Sequence, residues 1–161
     1  FFQAEDGIRD YKVTGVQTSL PILIMDSYSS FLYQLLPMLA TKLHLTPAQA
    51  GLMPSTLTIT SSLMQPVYGI ISDRYLKRAM VVMGPLIAAV FLSMLGTATS
   101  LPMLALLVIV GGMGVGIFHP QGAAMVSHAA SGKGMERHQG FVMSVFSSSG
   151  TVGYEIGRAH V

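Results

Sequence analysis

The feature that most constrains this chain is a run of 54 residues, Ala79 to Gly132, without a single Asp, Glu, Lys or Arg. As one helix it would extend about 80 Å at 1.5 Å per residue, whereas a bilayer core about 30 Å thick needs only about 20 apolar residues. The polar break Thr97-Ala98-Thr99-Ser100, followed by Leu101-Pro102, divides the run into two spans. The rest of the chain fits the same pattern. Charged residues make up 10% of the whole and hydrophobic ones 51%, against roughly 25% charged in a soluble domain. The chain has no cysteine and a net charge of only +2. That excludes a disulfide scaffold, a thiolate metal site and a cysteine nucleophile, and it argues against a nucleic-acid binder. An all-α, polytopic membrane protein is expected, with no metal and no cofactor.

Both ends read differently from the middle. Gln3 to Asp10, QAEDGIRD, is one translation of CAA GCA GAA GAC GGC ATA CGA GAT, the start of a common short-read sequencing adapter. Val13 to Ile22 resembles the stretch that follows it in the adapter, and Glu155 to Val161, EIGRAHV, reads as the partner adapter. Residues 1–22 and 155–161 are therefore expected to be adapter-derived, and 23–154 to be the biological segment. Within that segment the charges are Asp26, Lys42, Asp73, Arg74, Lys77, Arg78, Lys133, Glu136 and Arg137.

Those charges set an order of spans. The first is expected over Leu23 to Thr41. Thr46-Pro47, a cap followed by proline at the first helical position, starts the second, which has 26 uncharged residues to Ser72. Ala79 to Gly132 supplies the third and fourth, and a fifth begins near Gln139. About four and a half spans result. The loop after span two carries Arg74, Lys77 and Arg78, and the loop after span four carries Lys133 and Arg137. Basic residues favour the cytoplasmic side of short loops, so the N-terminus and both of these loops are expected inside. Gly112 and Gly116 form a GxxxG, and Ser147, Ser148, Ser149, Gly150 and Gly153 crowd the fifth span, as helices in close contact require.

The loop after span two is the most specific motif. Gly69-Ile70-Ile71-Ser72-Asp73-Arg74-Tyr75-Leu76-Lys77-Arg78 resembles the GxxxD(R/K)xG(R/K)(R/K) signature of the major facilitator superfamily, with Leu76 in place of the second glycine. Gly69 would allow a close helix approach. Asp73 can accept hydrogen bonds or pair with a cation, and Arg74, Lys77 and Arg78 can latch to neighbouring carboxylates and helix C-termini in one conformation and release in another. A solvated positive-inside anchor would explain the cations but not Asp73.

A second match is narrower. Gly116-Ile117-Phe118-His119-Pro120-Gln121, then Ala130-Ser131-Gly132, then Ser144-Val145-Phe146 with Gly150 and Gly153, resembles the fosmidomycin-resistance branch of that superfamily. Asp26 and Pro37 match the same branch in span one. The resemblance covers essentially all of 23–154 and implies part of the N-terminal helix bundle of a secondary transporter in the inner or plasma membrane. It implies a monomer when complete, exporting a small drug such as fosmidomycin against protons. The acidic residue expected after His-Pro is Gln121 here.

Ionisable groups inside a membrane are functional candidates, because each costs at least about 2.5–3.5 kcal/mol at the helix centre. Asp26 is expected to face the cavity and bind a proton or cation; the plain alternative is an Asp that locks span one to a neighbour. His119 can join proton coupling or meet an anionic group, or be a neutral histidine on a backbone carbonyl. Pro120 frees a carbonyl one turn earlier, which suits a bend beside a cavity. His128 and His138 read as interfacial, and Tyr33, Gln34 and Gln65 serve equally as cavity or packing groups. Gly111 to Gly116 follows no strand, so a nucleotide loop is excluded, and no hydrolase or metalloprotease motif is present. Two alternatives to drug export stand: uptake of a sugar or organic acid by the same fold, or an intramembrane enzyme built on Asp26 and His119. The enzyme requires those two side chains within reach of each other.

Overall fold

The computed structural model describes residues 2–75, 77–130 and 139–158, with side chains over 19–71, 79–128 and 139–157. Among the described residues all regular structure is helical: α1 (Phe2–Lys42), α2 (Pro47–Thr58), α3 (Gln65–Tyr75), α4 (Lys77–Ser93), α5 (Leu101–Ala130) and α6 (Gln139–Arg158). A π turn, Ile59–Leu63, joins α2 to α3, and a 3-10 turn, Met94–Thr97, ends α4. The five expected spans correspond to α1, the interrupted pair α2–α3, α4, α5 and α6. Helix α1 also continues back through 2–22.

Local chemistry accounts for the boundaries. At the end of α1 the N–H of His44 donates to Thr41 O and that of Leu45 to Ala40 O, which closes the helix in a Schellman turn. His44 takes the left-handed position of that turn, with φ 52°. Thr46 then caps α2: its hydroxyl accepts from the Gln49 N–H at 3.3 Å while the Gln49 side chain accepts from the Thr46 N–H at 2.9 Å, the reciprocal capping box. Pro66 cannot donate to the carbonyl one turn before it, at Ser62, and its ring crowds that carbonyl. The chain responds with the wider turn, in which the Met64 N–H reaches back to Ile59 O, and the Gln65 side chain donates to Ser61 O at 3.0 Å. Gln65 is thus used for packing. The third and fourth spans separate at 98–100, inside the expected break, and Ser100 O accepts the Leu104 N–H to open α5.

Helix α5 is central and touches all five other helices. Its GxxxG serves an internal contact: a Cβ on Gly116 would lie 2.7 Å from Thr60 O and 2.8 Å from Ser61 O, and one on Gly112 would strike the Thr60 hydroxyl. The opposite side of α5 meets α4, where a Cβ on Gly114 would lie 2.7 Å from Gly84 O. Phe118, Leu92, Leu95, Leu104 and Val108 are fully buried around this seam. Outward, Leu52, Leu63, Ile70, Val82, Leu86, Leu106 and Phe141 are exposed, as a lipid-facing surface requires. The segments Ala79–Thr97 and Leu101–His128 are each long and apolar enough to cross a membrane.

Candidate functional site

Helices α1, α5 and α6 converge on one cleft of about 410 Å³. Asp26 and Ile22 wall it from α1, His119 from α5, and the stretch from Phe146 to Tyr154 from α6. The α6 contribution has helical spacing: Ser147, Gly150, Thr151 and Tyr154 recur three or four residues apart and share one face.

Asp26 and His119 meet across this cleft. His119 Nε2 lies 3.4 Å from Asp26 Oδ1, with the side chains 24% and 17% exposed. That separation is an ion-pair contact when the imidazole is protonated, but longer than the 2.7–3.2 Å of a well-formed hydrogen bond. A carboxylate held largely away from water is costly, and a polar neighbour offsets part of that cost. The contact therefore steadies the site without locking it.

Helix α1 can approach α6 closely because α6 presents glycines to it. A Cβ on Gly153 would strike the Leu23 carbonyl, and one on Gly157 the Ser30 hydroxyl. Ser27 exploits the approach: its Oγ lies 2.8 Å from both Leu23 O and Gly153 O and can donate to either. The Ser30 hydroxyl, fully buried, donates to Ser27 O at 2.8 Å. Tyr154 packs edge-on against Tyr33, ring centroids 5.9 Å apart.

The remaining sequence candidates are distributed unevenly. Pro120 sits within α5, which runs unbroken past it. Gln121 is 6% exposed and lies seven residues beyond Gly114, hence on the α4 side of α5 and not on the cleft wall. His128 is exposed in the last turn of α5; His138 and Ala130-Ser131-Gly132 lie outside the described residues apart from the Ala130 backbone. In the loop motif, Asp73 and Arg74 fall in the last turn of α3 and Lys77 and Arg78 in the first turn of α4. Their side chains and all of Leu76 lie outside the described residues. Among the described residues a Cβ on Gly69 would meet nothing within 4 Å; the close approach seen on this span is made at the π turn against α5. Among the described residues there is no cluster of metal-ligating side chains.

The sequence nominates Asp26 and His119 and makes their proximity a condition of one alternative; the contact itself is seen only in the structure. Sequence reasoning missed Ser27, Thr151 and the use of Ser147 and Tyr154 as cleft wall. The three-and-four spacing of small and polar residues along 147–154 is the signal that carried this information.

A bundle of apolar helices that brings one acid and one histidine together inside it is that of a multi-pass membrane protein. Residues 20–159 match the Major Facilitator Superfamily, and the chain belongs to that family. The match spans the whole 23–154 segment and reaches a few residues into each flank. The chain is similar to the fosmidomycin resistance protein of Escherichia coli (strain K12), with 30% identity over 139 residues, 86% of this chain and 33% of that protein. It is also similar to an uncharacterised MFS-type transporter, YfnC, of Bacillus subtilis (strain 168), with 31% identity over 146 residues, 84% of this chain and 34% of that protein. The chain thus spans about a third of the length of the curated relatives it matches. The fold is accordingly a partial major-facilitator helix bundle. The 3.4 Å contact meets the distance condition set for an intramembrane enzyme, so separation of the pair does not exclude that alternative.

Proposed function

We propose that this chain is part of a secondary transporter that exports a small drug, fosmidomycin being the first candidate, in exchange for protons. The observation that carries the reading is the Asp26–His119 contact at 3.4 Å in a cleft between α1, α5 and α6. Asp26 and His119 tie α1 to α5 at the cleft, and a proton exchanged at this pair would change that tie and so bias how these helices sit. Transport would follow by rocking of two helix bundles around a midplane site. The basic residues Arg74, Lys77 and Arg78, with Asp73 and Gly69, would serve as a cytoplasmic latch, with the N-terminus inside and the protein a monomer in the inner or plasma membrane. Pro120 and Gln121 would act on the pathway only through α5. Residues 1–22 and 155–161 are proposed to be translated adapter; a genomic locus encoding QAEDGIRD in frame would refute this.

The test uses the complete reading frame in inside-out vesicles. Fosmidomycin should accumulate while a proton gradient is present, and accumulation should stop when an uncoupler collapses the gradient. Accumulation that ignores the uncoupler defeats the coupling. Growth supported by uptake of a sugar or organic acid, with no drug export, would favour the other direction of transport by the same fold.

A further inference from the structure

Resting on the reading of Asp26 as the working acid of the cleft, we propose that Gly150 is its positioning residue: the absent side chain leaves a seat on α6 that turns the Asp26 carboxylate toward His119. Among the described residues His119 is the only polar partner of that carboxylate, and the contact is long. Something else must therefore select the orientation, because the terminal torsion of an aspartate is broad and only weakly self-determined. The space over Gly150 does so. A Cβ built on Gly150 would collide with Asp26 Oδ2, and its next neighbours are Ile22 Cδ1 and Cγ1 at an ordinary 3.4 Å. The obstacle at this position is the carboxylate alone. One oxygen rests over the Gly150 backbone while the other, Oδ1, is presented to the imidazole.

The neighbouring glycine of α6 does something different. At Gly153 the collision is with the carbonyl, C and Cα of Leu23. Gly153 sets how closely two backbones run. Gly150 sets where a charge sits. A methyl at 150 would tip the carboxylate away from α6 and lengthen a contact that is already at the edge of pairing distance.

Dicyclohexylcarbodiimide, which attacks the protonated carboxyl, reads this directly in membranes holding the complete protein, with Asp26 modification quantified by mass spectrometry. A carboxyl seated between the Gly150 backbone and the imidazole is screened from the reagent, and one tipped off that seat is open to it. Gly150→Ala and His119→Ala should each raise Asp26 labelling several-fold, the two together should give no more than either alone, and Gly140→Ala, on the same helix where a Cβ would meet nothing within 4 Å, should label at the native rate. Labelling of Gly150→Ala at the native rate, or effects of Gly150→Ala and His119→Ala that multiply, overturns the proposal. If Gly150→Ala is not recovered folded, shortening the obstacle with Asp26→Ser in the same chain should restore a monodisperse protein in detergent; a double variant that also fails to fold equally overturns it. Failure of the transport reading looks different. Asp26→Asn would then move drug as well as the native protein, while the labelling series still decides what Gly150 does.

Discussion

The α1–α6 and α4–α5 interfaces are both built on glycine, yet only one brings polar side chains together. Between α4 and α5, Gly84, Ala88 and Leu92 lie against Gly111, Gly114 and Phe118, so that backbone meets backbone or apolar side chain. Between α1 and α6, Gly150 and Gly153 lie against Asp26 and Leu23, and the Ser27 hydroxyl bridges the two helices. The same device of missing side chains thus serves two ends. In a bilayer the hydrophobic effect does not hold helices together, so close packing and interhelical hydrogen bonds must. The α4–α5 seam uses packing and supplies the scaffold. The α1–α6 seam gives up some apolar contact to keep an acid and two hydroxyls inside.

That contrast breaks most readily at Gly114. A Cβ there would lie 2.5 Å from the Ala88 N and 2.7 Å from Gly84 O, both backbone atoms that cannot step aside. Gly114→Ala should cost about 1–3 kcal/mol or more of stability, as overpacked cores do. It should show as a lower unfolding temperature in detergent, with activity per folded molecule retained. A Gly114→Ala protein that melts like the native one would mean that α4 and α5 are not this close. At the other seam the effect is smaller. Ser27→Ala removes one hydroxyl bridge and should cost about 0.6–1 kcal/mol, the scale of an interhelical hydrogen bond in a membrane protein. Thermal unfolding of the complete protein with and without the serine measures it; a loss larger than that of Gly114→Ala would invert the division into scaffold and site.

How much of this was legible from the residues depended on whether the cause was local. The Thr46-Pro47 start and the break before Pro102 depend on two or three adjacent residues, and both stand where expected. The capping-box partner Gln49 is three residues from Thr46 and equally readable. Gly69 is harder to read, because a glycine near a helix end has many uses and only the neighbours decide which applies. The Asp26–His119 contact joins helices whose relative rotation is set by glycines at 112, 114, 116, 150 and 153 together. No window of sequence contains that information, so each residue could be nominated and their proximity stated only as a condition. The loop residues Asp73, Arg74, Lys77 and Arg78 remain a proposal drawn from motif resemblance.

The central claim, that Asp26 exchanges a proton as part of transport, is tested most directly by the internal pH of proteoliposomes holding the complete protein. Adding fosmidomycin on one side should move protons across the membrane with the native protein and should move none with Asp26→Asn, even though the variant folds. Proton movement of equal size in both proteins would contradict the account.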